Sequence, residues 1–366
     1  MKPSPLLKEL TLPCGKVIKN SIAKAAMTER LATSKQHDGK ALENLYDHWS
    51  ATGAGLLITG NIMVDKRYKE AAANIVLEDE SGLAPLRAMV AAGKKNNTHL
   101  WAQISHPGRQ STIFSTWKPL APSAIQLKKL FLFAKPRAMT LEEIKDVEAR
   151  FITTAKLCKK AGFTGMQIHA AHGYLLSQFL SPNTNKRKDD YGQDIYNRAR
   201  LLFDIVRGAR AALGADFPIS VKLNSADFQR GGFNEEDALL VIRELEMLKI
   251  DLLEISGGTY ENIAFLTERY QRDSTRKREA YFMDFARKIR KETSLPLMIT
   301  GGFRSVAFCD EVLVNSELEM IGFARPFLID KSFPAGFINK TIKKRNDASF
   351  EFGIKQLRDF AEAGFY

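Results

Sequence analysis

Cysteine is scarce in this 366-residue chain: Cys14, Cys158 and Cys309 stand alone, with no CxxC spacing. That removes any basis for a disulfide framework, a zinc site or an iron–sulfur cluster, and the three read as reduced packing residues. No run reaches the roughly 18 uncharged apolar residues that a membrane span needs. The first residues, MKPSPLLKELTLPCGKVIKN, lack the apolar core and small-residue cleavage site of a secretory leader. The expectation is a soluble cytoplasmic protein with no membrane partner. Linkers rich in Pro, Gly or Ser are also missing, so residues 1–366 are expected to form one domain.

Charge of one sign is not missing: the formal net charge is +12. The basic residues are dispersed rather than gathered into a stripe with interleaved aromatics, so no nucleic-acid partner is expected. Denser runs occur at Arg269–Arg278, Lys186–Lys188 and Lys343–Arg345. The first two, if near a cleft, would attract anionic dinucleotides or phosphates.

From about residue 20 to residue 330, short β-branched or apolar runs alternate with longer amphipathic segments, the pattern of βα units around a parallel sheet. Strands are expected near Ile22–Met27, Leu56–Thr59, His99–Ile104, Gly165–Ile168, Ile219–Leu223, Leu252–Ile255, Leu297–Thr300 and Met320–Gly322. Eight is the strand count of a (β/α)8 TIM barrel, an α/β fold. Thr140-Leu-Glu-Glu143 is a capping box opening a helix that Gly162 stops, and Asn234-Glu-Glu-Asp237 caps another. Leu10–Ile18, centred on Cys14-Gly15, reads as an N-terminal hairpin placed to plug the barrel, and 331–366 as a helical extension. Two stretches are too long for plain connections, His106–Arg137 after the third strand and His169–Tyr196 after the fourth, and such βα excursions build active-site faces.

Polar residues cluster where those strands end. Thr28, Gly60-Asn61, Gln103, His169, Lys222, Ser256-Gly-Gly258, Gly301-Gly302 and Phe323-Ala-Arg325 all fall at the C-terminal rim, where barrels place their chemistry. Gly301-Gly302-Phe303-Arg304 and Gly322-Phe-Ala-Arg325-Pro326 suit a phosphate held by backbone N–H groups and a guanidinium; tight turns and a surface ion pair are the plainer alternative. Lys222 has three readings: a cation beside an anionic ring, an imine-forming amine, or a salt bridge to an acid such as Glu254. The amide of Gln103 matches the alternating edge of a flavin pyrimidine or a nucleobase, and Thr28 can donate to a carbonyl such as flavin O4. His169-Ala-Ala-His172-Gly173-Tyr174 is the strongest local signal. If the chain turns helically there, two imidazoles three residues apart aim at one spot, and their N–H groups can hold a carbonyl or nitro oxygen while Tyr174 supplies a proton. A metal is not expected, because no acid lies between Ile168 and Thr184 to complete a ligand set.

With these residues assembled, the sequence resembles the Old Yellow Enzyme family of FMN-dependent ene-reductases, from about Pro5 to Asp330, most specifically in HAAHGYLLSQFLSPNTNKRKDDYG, His169 to Gly192, followed by Asn197-Arg198. The resemblance implies that Ala25, Ala26, Met27 and Thr28 line one side of the flavin, with Gly60 beside the ring. It also implies that Gln103 binds the pyrimidine edge and that Lys222 sits near N1 and O2. Gly302, Ala324 and Arg325 match FMN-phosphate positions, with Gly301 and Phe323 shaping the same loops; His169 and His172 match the substrate-holding pair, and Tyr174 the proton donor. Ala26 replaces a frequent proline and Ala324 a frequent glycine, so the backbone there is expected to sit slightly differently. There is no cysteine cluster or second flavin domain, so electrons are expected directly from NADPH or NADH.

The expected function is hydride transfer from tightly but non-covalently bound FMN to the β-carbon of an activated alkene, a small electrophile, with Tyr174 protonating the α-carbon. The alternatives are a lysine-dependent aldolase using Lys222, and a non-catalytic barrel that binds flavin or nucleic acid. Trp117, Phe131, Phe133 and Tyr281 are candidates for walling the substrate pocket or for packing a lid.

Overall fold

The computed structural model describes residues 4–33, 39–128, 131–258, 274–303, 305–330 and 333–343, with the side chains of 274–281 excepted. Eight parallel strands form its centre: β1 (Ile22–Lys24), β2 (Leu56–Met63), β3 (His99–Ser105), β4 (Gly165–Ala170), β5 (Ile219–Asn224), β6 (Leu252–Ser256), β7 (Leu297–Thr300) and β8 (Met320–Phe323). Each pairs with the next, and β8 pairs back onto β1, so the sheet closes. Helices follow in turn: α1 (Lys40–Ser50), α2 (Leu83–Gly93), α3 (Leu141–Ala161), α4 (Ile195–Leu213), α5 (Glu235–Met247), α6 (Ser274–Arg290) and α7 (Val306–Val314).

Period-two alternation splits the strands into two faces. Ile219, Val221 and Leu223 of β5, like Leu253 and Ile255 of β6, point outward into the large core shared with the helices. Inward-facing Ala23, Leu56, Trp101, Leu252 and Met320 form a second apolar cluster, closed from one end by Leu10, Leu12 and Ile18 of the N-terminal hairpin. The expected plug is therefore present. Above it the inward positions turn polar: Gln103, Gln167, Lys222 and Glu254 are buried there.

Both helix-start signals form as read. The Thr140 side chain and the Glu143 carboxylate cap α3 reciprocally, and Gly162 ends that helix at φ 99°. Asn234 accepts from the Asp237 N–H at the start of α5. Most strands run one or two residues past their expected ends, β4 reaching Ala170 and so including His169, and two ends differ by more. β1 ends at Lys24 rather than Met27: the Ala25 N–H still bonds to the Phe323 carbonyl, but the chain beyond it leaves the ladder and lies against Gly60. β2 runs on to Met63 instead of stopping at Thr59, with a shift of its register against β3 between Ile58 and Asn61. Gly60 lies inside that shifted stretch. A Cβ there would stand 2.4 Å from the Met27 carbonyl and 2.6 Å from the Thr28 Cα. The absent side chain is what lets the 27–28 segment lie on β2.

The two long excursions are bound to each other. The Arg187 guanidinium donates to the carbonyls of Pro122 and Met139, and the Gln178 amide donates to the Pro107 carbonyl. No helix among the described residues is long and apolar enough to cross a membrane. Of the expected extension over 331–366, residues 331–332 and those from 344 onward lie outside the described ones, as do residues 269–273 of the Arg269–Arg278 run and the side chains of the rest.

Gly60→Ala is expected to destabilise the protein by about 2 kcal/mol, the usual scale of overpacking. A thermal melt matching the unsubstituted protein would show that the 27–28 segment moves aside at no cost.

Candidate active site

The polar layer above the plug is organised by one buried ion pair. Lys222 Nζ lies 2.9 Å from Glu254 Oε1, and their side chains are 5% and 0% exposed. The two residues are register neighbours on β5 and β6, while His169 is the neighbour of Lys222 on β4. Glu254 Oε1 also accepts from Thr300 Oγ1 at 2.6 Å, and Oε2 accepts from Gln167 Nε2 at 2.8 Å. Because the carboxylate takes only donors, it settles which way the Gln167 amide points. Gln167 Oε1 then faces Gln103 Nε2 at 2.7 Å. Gln103 and Lys222, read separately from the sequence, are thus two ends of one network. Of the three readings of Lys222, the salt bridge to Glu254 is the one the structure contains.

His169 and His172 converge as expected, but not by a helical turn. His169 is still in β4, and His172 at φ 58° with Gly173 at φ 76° swing the chain sharply back before a short helix begins at Leu175. The correction has a physical cause: two successive left-handed residues reverse direction faster than a helix can, and glycine accepts that conformation freely. The imidazoles meet edge to face with ring centres 5.2 Å apart, and the Tyr174 ring lies 4.7 Å from His169. His169 Nδ1 accepts from the Ala171 N–H, which assigns its proton to Nε2. His172 Nε2 is 2.6 Å from Ser256 Oγ, and the Asn224 side chain accepts from the His172 N–H. Burial holds both imidazoles well below the usual histidine range, helped at His169 by His172 and then Lys222, and at His172 by Lys222. They are neutral N–H donors at pH 7.

The segment beyond β1 is tied down by residues that carry no motif. Ala25, Ala26 and Met27 are buried. Thr28 Oγ1 donates to Glu70 Oε1 at 2.5 Å, and the Tyr174 hydroxyl donates to Glu70 Oε2. Asn61 Nδ2 reaches the same Oε2 at 3.0 Å. Glu29 accepts from the Gly60 N–H at 2.8 Å. Lys24, outward-facing and fully buried, donates to the carbonyls of Ala25 and Ile58 while its ammonium sits 4.4 Å above the Trp49 ring centre. Burial pulls its pKa down to about 8.

On the far side, Gly301 and Gly302 adopt φ 92° and 86°, and nothing lies within 4 Å of where a Gly301 Cβ would be. Ala324 and Arg325 are half-buried beyond β8. The Phe323 ring points away from the mouth into an aromatic group with Phe303, Phe333 and Phe337, so only its backbone shapes the loop. Arg304 lies outside the described residues. Of the aromatics considered for the pocket wall, Trp117 is 73% exposed and Phe131 fully so, whereas Phe133 is buried; the Tyr281 side chain lies outside the described residues.

A sequence profile of the NADH:flavin oxidoreductase / NADH oxidase family matches residues 8–345. An NADH-dependent flavin oxidoreductase of Hypocrea jecorina is 33% identical over 368 residues, covering 93% of this chain and 90% of that protein. The chain belongs to this family. A relative of the same description from Neonectria, also 33% identical, is matched over 89% of this chain but only 46% of its own length. Among solved structures, an Old Yellow Enzyme homologue from Zymomonas mobilis superposes with a TM-score of 0.77 at 23% identity, covering 93% of this chain and 94% of that one. A 2-naphthoyl-CoA reductase superposes with 0.86 at 23% identity, this chain spanning 53% of it. These structures support the barrel fold, and the family makes the chain a flavin oxidoreductase.

The residues present suit the flavin that this family implies. Asn61 Oδ1 is buried beside the Thr28–Glu70–Tyr174 cluster with no hydrogen-bond partner among the described residues. It needs a donor, and a flavin ring edge carries N–H groups. Lys222 and Gln103 offer an amine and an amide from the barrel floor. At Gly301 there is open space where a Cβ would be, while its N–H is bonded to the Gly322 carbonyl.

Glu254→Ala is expected to cost about 3–5 kcal/mol, because it strands a buried ammonium, whereas pairing Lys222→Met with Glu254→Leu recovers most of that loss. Equal melting temperatures for the single variant and the unsubstituted protein would dismiss the pair as an organiser. The histidines set an acid limit. Burial takes His106 down to about 4, and His169 and His172 shift the same way. The unfolded chain, titrating near 6.5, binds more protons in between, so their contribution is complete above about pH 6.5 and is lost as the pH falls toward 4. The melting temperature should be lower at about pH 5.5 than at about pH 7.5, and His106→Asn should reduce that difference.

Proposed function

We propose that this flavin oxidoreductase is an FMN-dependent, NADH- or NADPH-driven reductase of alkenes activated by a carbonyl or nitro group. One observation carries the reading: two neutral imidazoles and a phenol share one end of the barrel, directly beside the Gln103–Gln167–Glu254–Lys222 floor.

In this reading the segment from Ala25 to Thr28, together with Gly60, lines one side of the ring. Gln103 and Lys222 hold its pyrimidine edge, and Gly301, Gly302, the backbone of Phe323, Ala324 and Arg325 hold the phosphate. Two-electron hydride transfer, in from the nicotinamide and out to the β-carbon, is the chemistry FMN supplies when bound. The protein supplies the rest. His169 Nε2–H and the His172 ring grip the activating oxygen, and because both rings stay neutral they stabilise growing negative charge without protonating it. Tyr174 keeps its proton on the hydroxyl oxygen until the α-carbon needs it. Substrate identity follows from this chemistry only as a class, a small electrophilic alkene.

The test is an absorbance spectrum of the purified protein before and after anaerobic NADH or NADPH, with cyclohexenone then added. Flavin bleaching by the nicotinamide and recovery with the enone are expected. Tyr174→Phe should slow the recovery by about a hundredfold or more while affecting the bleaching far less. Equal slowing of both phases would remove Tyr174 from the proton step.

A further inference from the structure

A tyrosine that gives up a proton in every turnover has to be refilled in every turnover. Tyr174 is 5% exposed, so water does not reach it freely. The nearest imidazole, His169, is a poor supplier, because burial keeps it unprotonated at neutral pH. The group hydrogen-bonded to the phenol is a carboxylate from 104 positions earlier in the chain, Glu70.

We propose that Glu70 is the relay that returns a proton from solvent to Tyr174. The proposal rests on the reading of Tyr174 as proton donor given above. Three features equip Glu70 for the task. It is only half-buried, in contrast to the buried Tyr174, and it accepts the phenol's hydrogen bond. It is clamped: Oε1 accepts from Thr28 at 2.5 Å and from Asn74 at 3.2 Å, and Oε2 accepts from Asn61 at 3.0 Å. Its loop is fixed as well, since the Asn74 side chain accepts from the Ala71 N–H and Ser115 accepts from the Lys69 N–H. A carboxylate held in this way changes its protonation state without changing its position.

The proton balance is simple. As the α-carbon–hydrogen bond forms, the Tyr174 O–H bond breaks and leaves a phenolate. Glu70, protonated from solvent, passes its acid proton to that phenolate and reverts to a carboxylate. One solvent proton is consumed per alkene, and the relay itself moves no electrons.

The experiment uses flavin-loaded protein and follows steady-state, NADH-driven reduction of cyclohexenone, in which Tyr174 must be reloaded in every cycle, in the unsubstituted protein, Glu70→Gln and Glu70→Ala. Turnover about a hundredfold slower is expected in both variants, with added formate restoring rate to Glu70→Ala in proportion to its concentration. A second readout is independent of turnover. Phenolate absorbance that disappears with Tyr174→Phe should develop at lower pH in Glu70→Gln, because a negative neighbour is gone. Glu70→Gln turning over at the unsubstituted rate, or Glu70→Ala slow but indifferent to formate, would overturn the relay. Unsubstituted protein that bleaches with NADH yet is not reoxidised by the enone would instead overturn the reading of Tyr174 on which the relay depends.

Discussion

A carboxylate and an ammonium stand face to face in the interior of a closed barrel, one layer above an apolar plug, and neither tolerates that position alone. Glu254 and Lys222 are adjacent in register, so the strand pairing that closes the sheet also brings the charges together. Well-packed apolar pairs often match a buried ion pair in stability. What the ion pair adds is orientation. The second oxygen of Glu254 fixes the Gln167 amide, and Gln167 in turn fixes Gln103. The barrel floor therefore presents a cation and an amide in set positions before any ligand arrives, the kind of preorganisation on which electrostatic catalysis depends.

The wall above that floor is held by a second carboxylate. Glu70 gathers Thr28 from the end of β1, Asn61 from β2 and Tyr174 from beyond β4. These residues are far apart in sequence and meet because the barrel brings the C-terminal ends of its strands to one rim. Gly60 contributes by what it lacks, leaving room for the Met27–Thr28 backbone. The histidines sit between the two centres and feel the cation of the floor as well as their burial, which keeps them neutral.

Much of this was legible in the sequence. Short β-branched or apolar runs between amphipathic segments located all eight strands, and strand ends located the rim, because both depend on local pattern. The histidine pair was located correctly from its spacing, but the left-handed turn at His172 and Gly173 that joins the rings was not legible, since a non-glycine residue at positive φ leaves little trace in sequence. Glu70 and Gln167 carried no signal: each acts through a partner distant in sequence, and an isolated Glu or Gln looks like any surface residue. The most distinctive run, His169 to Gly192, proves largely architectural beyond Tyr174. Gln178 and Arg187 lace the long loops together, and Asn185 donates to the carbonyls of Phe179 and Tyr191.

If the Lys222–Glu254 pair sets the flavin edge, removing both charges should leave a folded barrel that binds FMN poorly. The direct measurement is the FMN dissociation constant of flavin-stripped protein, by quenching of flavin fluorescence, for the unsubstituted chain and for Lys222→Met combined with Glu254→Leu. Binding at least about tenfold weaker, about 1.4 kcal/mol, is expected of the folded double variant. Equal affinity in a double variant that melts like the unsubstituted protein would contradict the central role given to the pair.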